Sequence, residues 1–385
     1  MLKKGLHSGV LMSFTQFHFH PGIQSGIRDA GYTSPSPIQQ KAIPPILDGK
    51  DILGLAQTGT GKTVAFVLPI LQHLLKTPRT ASSAAPSALI MAPTRELAEQ
   101  IHESITLMAS HTPIKSVAVY GGVGKHLQIK ALKQGVDIIV ACPGRLLDLM
   151  NDKALSLKGI DILVLDEADQ MLDMGFLPDI RRIIRAAPKK RQTLVFSATM
   201  PKMIGNLVQD ILNHPIKVQV NQTGPAPRIA HGRFNVQREK RTALLKTLFA
   251  KNGMASTIVF TRTKHKAKSL AVQLKKSGFN AVSLQGNLSQ NQRRRAMDGF
   301  RSGSFKILVA TDIAARGIDV SGVSHVINYD LPDTVETYIH RTGRTGRVNQ
   351  PGQAYTFTTR EDNKTIILIE KALGRKMTEE SLLPA

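Results

Sequence analysis

Several routes to function are closed by what the chain lacks. It has one cysteine, Cys142, in 385 residues. That excludes an internal disulfide and a multi-cysteine metal site, and it fits a reducing, cytoplasmic setting. No apolar run approaches the roughly 20 residues that cross a bilayer, so no membrane partner is expected. Met1 to Val10 carries two lysines but no convincing signal-peptide core or cleavage site. Tryptophan is absent and aromatics are 5%, few for a protein that grips bases by stacking. Acidic residues are also scarce: 28 Asp+Glu face 51 Lys+Arg, a net charge of +23. Such a balance predicts a polyanion partner. An acidic membrane surface is the other reading, but no long basic amphipathic helix is present to lie on one. With few aromatic platforms, the grip is expected on phosphates and sugars, salt-sensitive and nearly blind to sequence.

What is present is a regular alternation. Short β-branched runs at 89–92, 117–120, 137–141, 162–165 and 193–196 are each followed by a helix-compatible segment. That order implies parallel strands with crossover helices, whose strands read as continuous apolar runs because both faces are covered. The pattern breaks at the polar, Pro/Gly-rich stretch 221–227, a linker by composition. It restarts with runs at 257–260, 281–284, 307–310 and 325–329. The expectation is two α/β domains, 12–220 and 228–378, after a disordered lead-in at 1–11 and before a tail at 379–385. From residue 226 onward Lys+Arg outnumber Asp+Glu by 27 to 12, so the second domain is the more basic.

The most informative motif is Ala56-Gln57-Thr58-Gly59-Thr60-Gly61-Lys62-Thr63, directly after the apolar run ending at Leu55. A strand, a glycine loop and a helix in that order form a phosphate cradle, because glycines let backbone N–H groups turn inward. Lys62 is expected to reach the β- and γ-phosphates of a nucleotide, and the Thr63 hydroxyl to ligate Mg²⁺. The strict pattern wants glycine where Ala56 stands. Asp166-Glu167-Ala168-Asp169 follows the apolar run 162–165, at a strand end of the kind where ligands bind. Asp166 is assigned to the metal through water, and Glu167 to the base that positions or deprotonates the attacking water. The plainer alternative is an acidic N-cap for the next helix.

These residues and their neighbours resemble the DEAD-box ATP-dependent RNA helicases, with details most like the bacterial RhlE group. The resemblance covers about residues 14–375. Its motifs run in order: Phe14 with Gly31 to Gln39; Ala56 to Thr63; Pro93-Thr94-Arg95-Glu96-Leu97-Ala98; Gly121-Gly122; Pro143-Gly144-Arg145; Asp166 to Asp169; Ser197-Ala198-Thr199; Val259 to Thr263; Gln292 with Arg295; Thr311 to Asp319; and His340 to Arg347. It implies two RecA-like domains, an ATP and Mg²⁺ requirement, and RNA as partner, with ribosomal precursors or RNA-degradation assemblies as settings and a monomer as the unit. It also implies that Ala56 is the family's own residue at that place.

The resemblance assigns further roles. Gln39, with an amide that donates and accepts, matches the N6/N7 edge of adenine; Tyr32 stacks on the base or packs a helix end, and Phe14 is a base contact or a core anchor. Gln57, Thr58, Gly59, Thr60 and Gly61 cradle phosphate, and Gly317 and Asp319 meet the ribose side. Thr94, Arg95, Gly122, Gly144, Arg145, Arg262, Gly286, Arg295 and Thr311 contact RNA. Ser289 and Gln292 equally make a capping box, and Arg293 to Arg295 read mainly as a solvated helix face. His340, Arg341, Arg344 and Arg347 put four cations into eight residues, which repel unless anions are near. Arg344 and Arg347 are the arginine-finger candidates, and His340 links the second domain to the acidic motif. Asp169, Ser197 and Thr199 couple hydrolysis to RNA. Two departures stand out: Cys142 where a threonine is usual, and Gln285 where histidine is common. A DNA translocase of related architecture and a passive RNA-binding or annealing protein with a vestigial ATP site remain the alternative functions.

Overall fold

Apolar runs of four residues, each ended by Gly, Pro or a polar turn, are too short for helices and suit buried strands. In the computed structural model they form the centres of two sheets. The structure describes residues 13–56, 59–77, 85–220, 229–252, 254–315, 322–346 and 351–381. The lead-in 1–11 and the linker 221–227 therefore lie outside the described residues. The chain divides into two units, Met1–Asn221 and Gln222–Ala385.

The first unit contains strands β1 (Ile52–Leu55), β2 (Ala88–Met91), β3 (Ser116–Val119), β4 (Ile138–Ala141), β5 (Ile162–Leu165), β6 (Gln192–Ser197) and β7 (Ile216–Gln219). They form one sheet in the order β3-β4-β2-β5-β6-β1-β7, and every pair is parallel. Side chains alternate between faces, as the pleat requires. Ile138, Val140, Ile162 and Val164 pack on one face with Ile43, Phe66 and Ile101. Ile139, Leu163 and Leu165 pack on the other with Leu146, Met171 and Ile180.

The second unit repeats the plan. Strands β8 (Ile229–Asn235), β9 (Thr257–Phe260), β10 (Ala281–Leu284), β11 (Ile307–Ala310), β12 (His325–Asn328), β13 (Gly352–Thr358) and β14 (Thr378–Glu379) form a parallel sheet in the order β10-β11-β9-β12-β13-β8-β14. β14 was not expected: Glu379, read as the start of the tail, pairs with Arg233 at the sheet edge, and Glu380 N–H donates to the Arg233 carbonyl at 2.8 Å. In a parallel sheet all carboxyl ends point the same way, so in each unit the loops that follow the strands gather at one edge.

One close contact sits in the first core just before the glycine loop. Gly54 of β1 lies beside Phe196 of β6, and Phe196 packs on Phe66 with ring centroids 5.4 Å apart. A β-carbon at Gly54 would fall 2.5 Å from the Phe196 ring. Gly54→Ala should therefore overpack this seam and lower stability by about 1–3 kcal/mol. Chemical denaturation measures this, and adding Phe196→Leu should recover part of the loss; an unchanged midpoint for Gly54→Ala would contradict the contact.

Candidate functional site

In the first unit the glycine loop leaves β1 and enters the helix Lys62–Lys76, which has Gly61 as its N-cap. Gly59 and Gly61 have φ of 80° and 90°, values that only glycine adopts cheaply. Gln57 and Thr58 lie outside the described residues. Lys62 is buried, and its Nζ donates to the Ala56 carbonyl at 2.9 Å, closing the loop on itself. Thr63 follows on the first turn, half-buried.

The adenine-motif residues meet this loop. Ser36 caps the helix Pro37–Leu47 in a capping box with Gln39. Ser36 Oγ donates to the Thr60 carbonyl at 2.8 Å. Gln39 Oε1 accepts from Ser36 N–H at 2.8 Å, and its Nε2 donates to the Gly61 carbonyl at 3.1 Å. A β-carbon at Gly61 would lie 2.5 Å from Gln39 Nε2. Gln39 is 2% exposed, so its amide organises the phosphate loop as well as the helix start. Tyr32 is half exposed, and Phe14 is buried with its ring edge-on to Tyr32 at 6.2 Å.

The acidic turn follows β5, separated from β1 only by β6. Asp166 is 2% exposed. Burial pushes its carboxyl above the ordinary range, and the Lys62 ammonium pulls it back down. Its Oδ1 also accepts from Glu167 N–H at 3.0 Å. Glu167 is buried and holds φ of 52°, the left-handed region. Such a backbone costs about 1–2 kcal/mol for a residue with a β-carbon, and strain of this kind concentrates at functional sites. Asp169 reaches across to the end of β6. Its Oδ2 accepts from Ala198 N–H at 3.1 Å, Thr199 N–H at 2.9 Å and Thr199 Oγ1 at 2.9 Å. Ser197 Oγ donates to the Thr199 carbonyl at 2.7 Å. Among the described residues no three His, Cys, Asp or Glu side chains form a metal-binding group.

At the other strand ends of this unit, Thr94 caps the helix Arg95–Met108 through Leu97 N–H. The Arg95 guanidinium lies against Gly122, whose φ is 83°, and any side chain there would collide with it. Arg145 Nη1 donates to the Val123 carbonyl at 3.2 Å and its Nε pairs with Asp148 at 3.4 Å. Gly144 has open space around it. Pro143 takes the first position of the helix Pro143–Asn151, and Cys142 is its N-cap, with no side-chain hydrogen bond. Burial pushes the Cys142 thiol up to about 12, with the Glu96 carboxylate adding to it. The departure from threonine therefore leaves this helix start with backbone N–H groups alone.

In the second unit the motifs again sit after strands. Arg262 follows β9; its backbone N–H donates to Asp330 Oδ2 at 2.9 Å, and its guanidinium pairs with Asp333 at 2.8 Å. Gly286 follows β10 in open space. Its predecessor Gln285 is buried and accepts from Asn287 N–H at 2.6 Å. Ser289 and Gln292 form the capping box. Arg293 is the exception to the reading of a mainly solvated face: it is buried, with Nη2 on the Ala314 carbonyl at 3.2 Å. Arg294 and Arg295 are exposed. Thr311 precedes the short helix Asp312–Ala315. Gly317, Asp319 and Arg347 lie outside the described residues.

The cation cluster is not uniform. Arg341 is 3% exposed. Its Nε and Nη2 grip Asp312 at 2.5 and 2.7 Å, and its Nη1 donates to Asn328 Oδ1 at 3.2 Å and to the Asp330 carbonyl at 2.7 Å. The same guanidinium lies 5.0 Å from the Phe260 ring. Sequence reasoning foresaw that anions must relieve this cluster but did not identify Asp312 as the partner. Arg344 is also buried, at 5% exposure, and His340 is half-buried.

Comparison with known proteins accords with this arrangement. Residues 36–207 match the DEAD/DEAH box helicase family and residues 239–349 the helicase conserved C-terminal domain. The chain is 41% identical over 366 residues to the DEAD-box ATP-dependent RNA helicase RhpA of Helicobacter pylori, covering 95% of this chain and 73% of that protein. It is 40% identical over 374 residues to the ATP-dependent RNA helicase DeaD of Buchnera aphidicola, covering 96% of this chain and 61% of that longer protein. Among solved structures it is similar to S. cerevisiae Dbp5 bound to RNA and ADP BeF3, with a TM-score of 0.86, 34% identity, and 96% and 95% of the two chains covered. The chain belongs to the DEAD-box family of ATP-dependent RNA helicases.

Proposed function

We propose that this protein is an RNA-stimulated ATPase that couples ATP binding and hydrolysis to clamping RNA and to opening short duplexes or remodelling ribonucleoproteins. The observation that carries this reading is the buried acidic turn. Asp166 shares an electrostatic environment with Lys62, while Asp169 of the same turn holds Ala198 and Thr199. A change at the phosphate end of the turn is therefore passed by hydrogen bonds to the end of β6.

Lys62 and the loop N–H groups hold the β- and γ-phosphates, Gln39 and Tyr32 the base, and Gly317 and Asp319 the ribose. Thr63 and Asp166 would hold Mg²⁺, which neutralises charge on the phosphates. Glu167 takes the proton of the attacking water. Arg344 and Arg347 belong to the second unit, so turnover requires that unit's arginines to reach the nucleotide; such fingers contribute about 10³- to 10⁵-fold. Phosphate contacts from Thr94, Arg95, Gly122, Gly144, Arg145, Arg262, Gly286, Arg295 and Thr311 fix RNA without reading its sequence. RNA motifs in both units make the coupling reciprocal: each ligand favours the state the other prefers. Each stacked step costs roughly 1.4 kcal/mol to disrupt, so one cycle opens short helices. Within the family, the motif details support the RhlE group; that resemblance supports ribosomal precursors or RNA-degradation assemblies as settings and a cytoplasmic monomer as the unit.

Glu167→Gln should retain ATP and RNA binding while kcat falls about 10²- to 10⁴-fold; turnover near the parent rate would remove Glu167 from the role of base. ATP hydrolysis by the parent chain should rise on adding single-stranded RNA and respond less to DNA of the same sequence, because a site touching the 2′-OH distinguishes them. Equal rates with and without RNA would refute the coupling, and a preference for DNA would point to a translocase.

A further inference from the structure

Between Lys240 and Met297 the chain runs 58 residues without one Asp or Glu, while holding 13 Lys+Arg. At the chain's average of 28 acids in 385 residues, such a stretch would hold about four. The described motifs account for only part of this charge. Arg241 is buried and paired with Asp330, Arg293 is buried against Ala314, and Arg262 and Arg295 are already assigned to RNA. The remainder concentrates on the helix Lys264–Lys276, whose 13 residues include five lysines and one histidine.

This helix has a fixed orientation. Ala267, Leu270, Ala271 and Leu274 recur at helical spacing and are buried, packed in the core with Val259 and Val309. The opposite face is thereby forced into solvent, and it carries His265, Lys268, Val272, Lys275 and Lys276, all exposed. These positions fall on one stripe of a 3.6-residue helix about 20 Å long. No carboxylate among the described residues lies within ion-pair reach of Lys268, Lys275 or Lys276. Other cations on this helix are engaged locally: Lys264 Nζ donates to Asn287 Oδ1 at 3.1 Å, and Lys266 lies 5.3 Å from the Tyr329 ring. The Lys264 contact also places the helix start next to Gly286, and Arg262 lies two residues before the helix. The stripe therefore begins at the edge formed by Arg262, Gly286 and Thr311 and leads away from it.

We propose that this lysine face is a second RNA-backbone surface, which holds the strand after it leaves that edge. The inference rests on the reading of the edge as an RNA contact. An acidic protein partner fits less well. Protein interfaces deplete lysine and depend on aromatic or apolar anchors, and Val272 is the one large apolar residue exposed on this helix. Lysines without anchors, on a domain of strong positive charge, match the electrostatics of phosphate binding.

The test neutralises the stripe and compares two ligands. The variant Lys268→Gln/Lys275→Gln/Lys276→Gln leaves every motif residue in place, and its thermal melting is checked against the parent. Hexauridylate is short enough to fill the motif edge alone, whereas poly(U) can also run along the helix. Binding of each is measured across a salt series. For poly(U), affinity should fall at least about 10-fold at 0.1 M salt, with a log–log salt slope shallower by about 2, or about 0.7 per lost phosphate contact. Hexauridylate binding should be unchanged. Unchanged poly(U) affinity and slope would overturn the proposal. So would an equal loss on both ligands, which would mean that the lysines act at the motif edge or through the fold. Failure of the function proposed above is a separate result, since it appears as an ATPase of the parent chain that RNA does not stimulate.

Discussion

Parallel pairing constrains everything else in this protein. Each sheet holds its strands in one direction, so the residues that follow β1, β2, β4, β5 and β6 arrive at one edge of the first unit, and those that follow β9, β10 and β11 at one edge of the second. Motifs far apart in sequence become neighbours for that reason alone. Ala56, Asp166 and Ser197 are separated by more than a hundred residues in all, yet Ala56 N–H donates to the Ser197 carbonyl at 3.0 Å and Asp166 N–H to the Met91 carbonyl at 3.0 Å. Buried strands also fix the edge in position, because slipping any of them would move its apolar residues between two filled faces.

On each of these edges, charge held away from water does the organising. A carboxylate removed from water is costly unless paired or hydrogen-bonded. Asp169 answers the cost with three donors from Ala198 and Thr199. In the second unit it is the buried Arg341 that is answered, by two guanidinium bonds to the partly exposed Asp312. In each case a short polar turn is bound to a different motif, so the carboxylate serves as a clamp between segments. Asp166 is the exception: burial raises its carboxyl, and one backbone N–H and the nearby Lys62 only partly compensate. A carboxylate held this way gains most from a cation brought close, which agrees with the role proposed for it.

The sequence made the sheet centres and the motif order legible because both are written locally. The run 162–165 is a strand in the structure with the same ends, as are 257–260, 281–284 and 307–310. Strands that escaped notice carry mixed signals. β7 is Ile-Lys-Val-Gln with only Val218 buried. β8 contains His231, which is buried through a hydrogen bond to Tyr338 Oη at 2.7 Å. β13 opens on Gly352, where a β-carbon would meet Gly346 N at 2.5 Å. In each, a distant partner decides burial, and no window of sequence contains that partner. The same limit applies to the site. Lys62 and Asp166 could be read from motif spacing, whereas the left-handed Glu167 and the buried Arg293 depend on neighbours that only folding supplies.

Gln39 shows how one side chain can carry information between these layers. As a sequence feature it matched the edge of adenine. In the structure its carbonyl oxygen caps its own helix and its amide nitrogen holds the Gly61 carbonyl, one residue before Lys62. An amide has two N–H donors and two acceptor lone pairs, so these bonds leave capacity for a base. A base bound there would share an amide with the phosphate loop, and the two contacts would orient one another. Recognition of the nucleotide's base would then bear on the conformation of the loop that holds its phosphates, through a single residue buried at the junction.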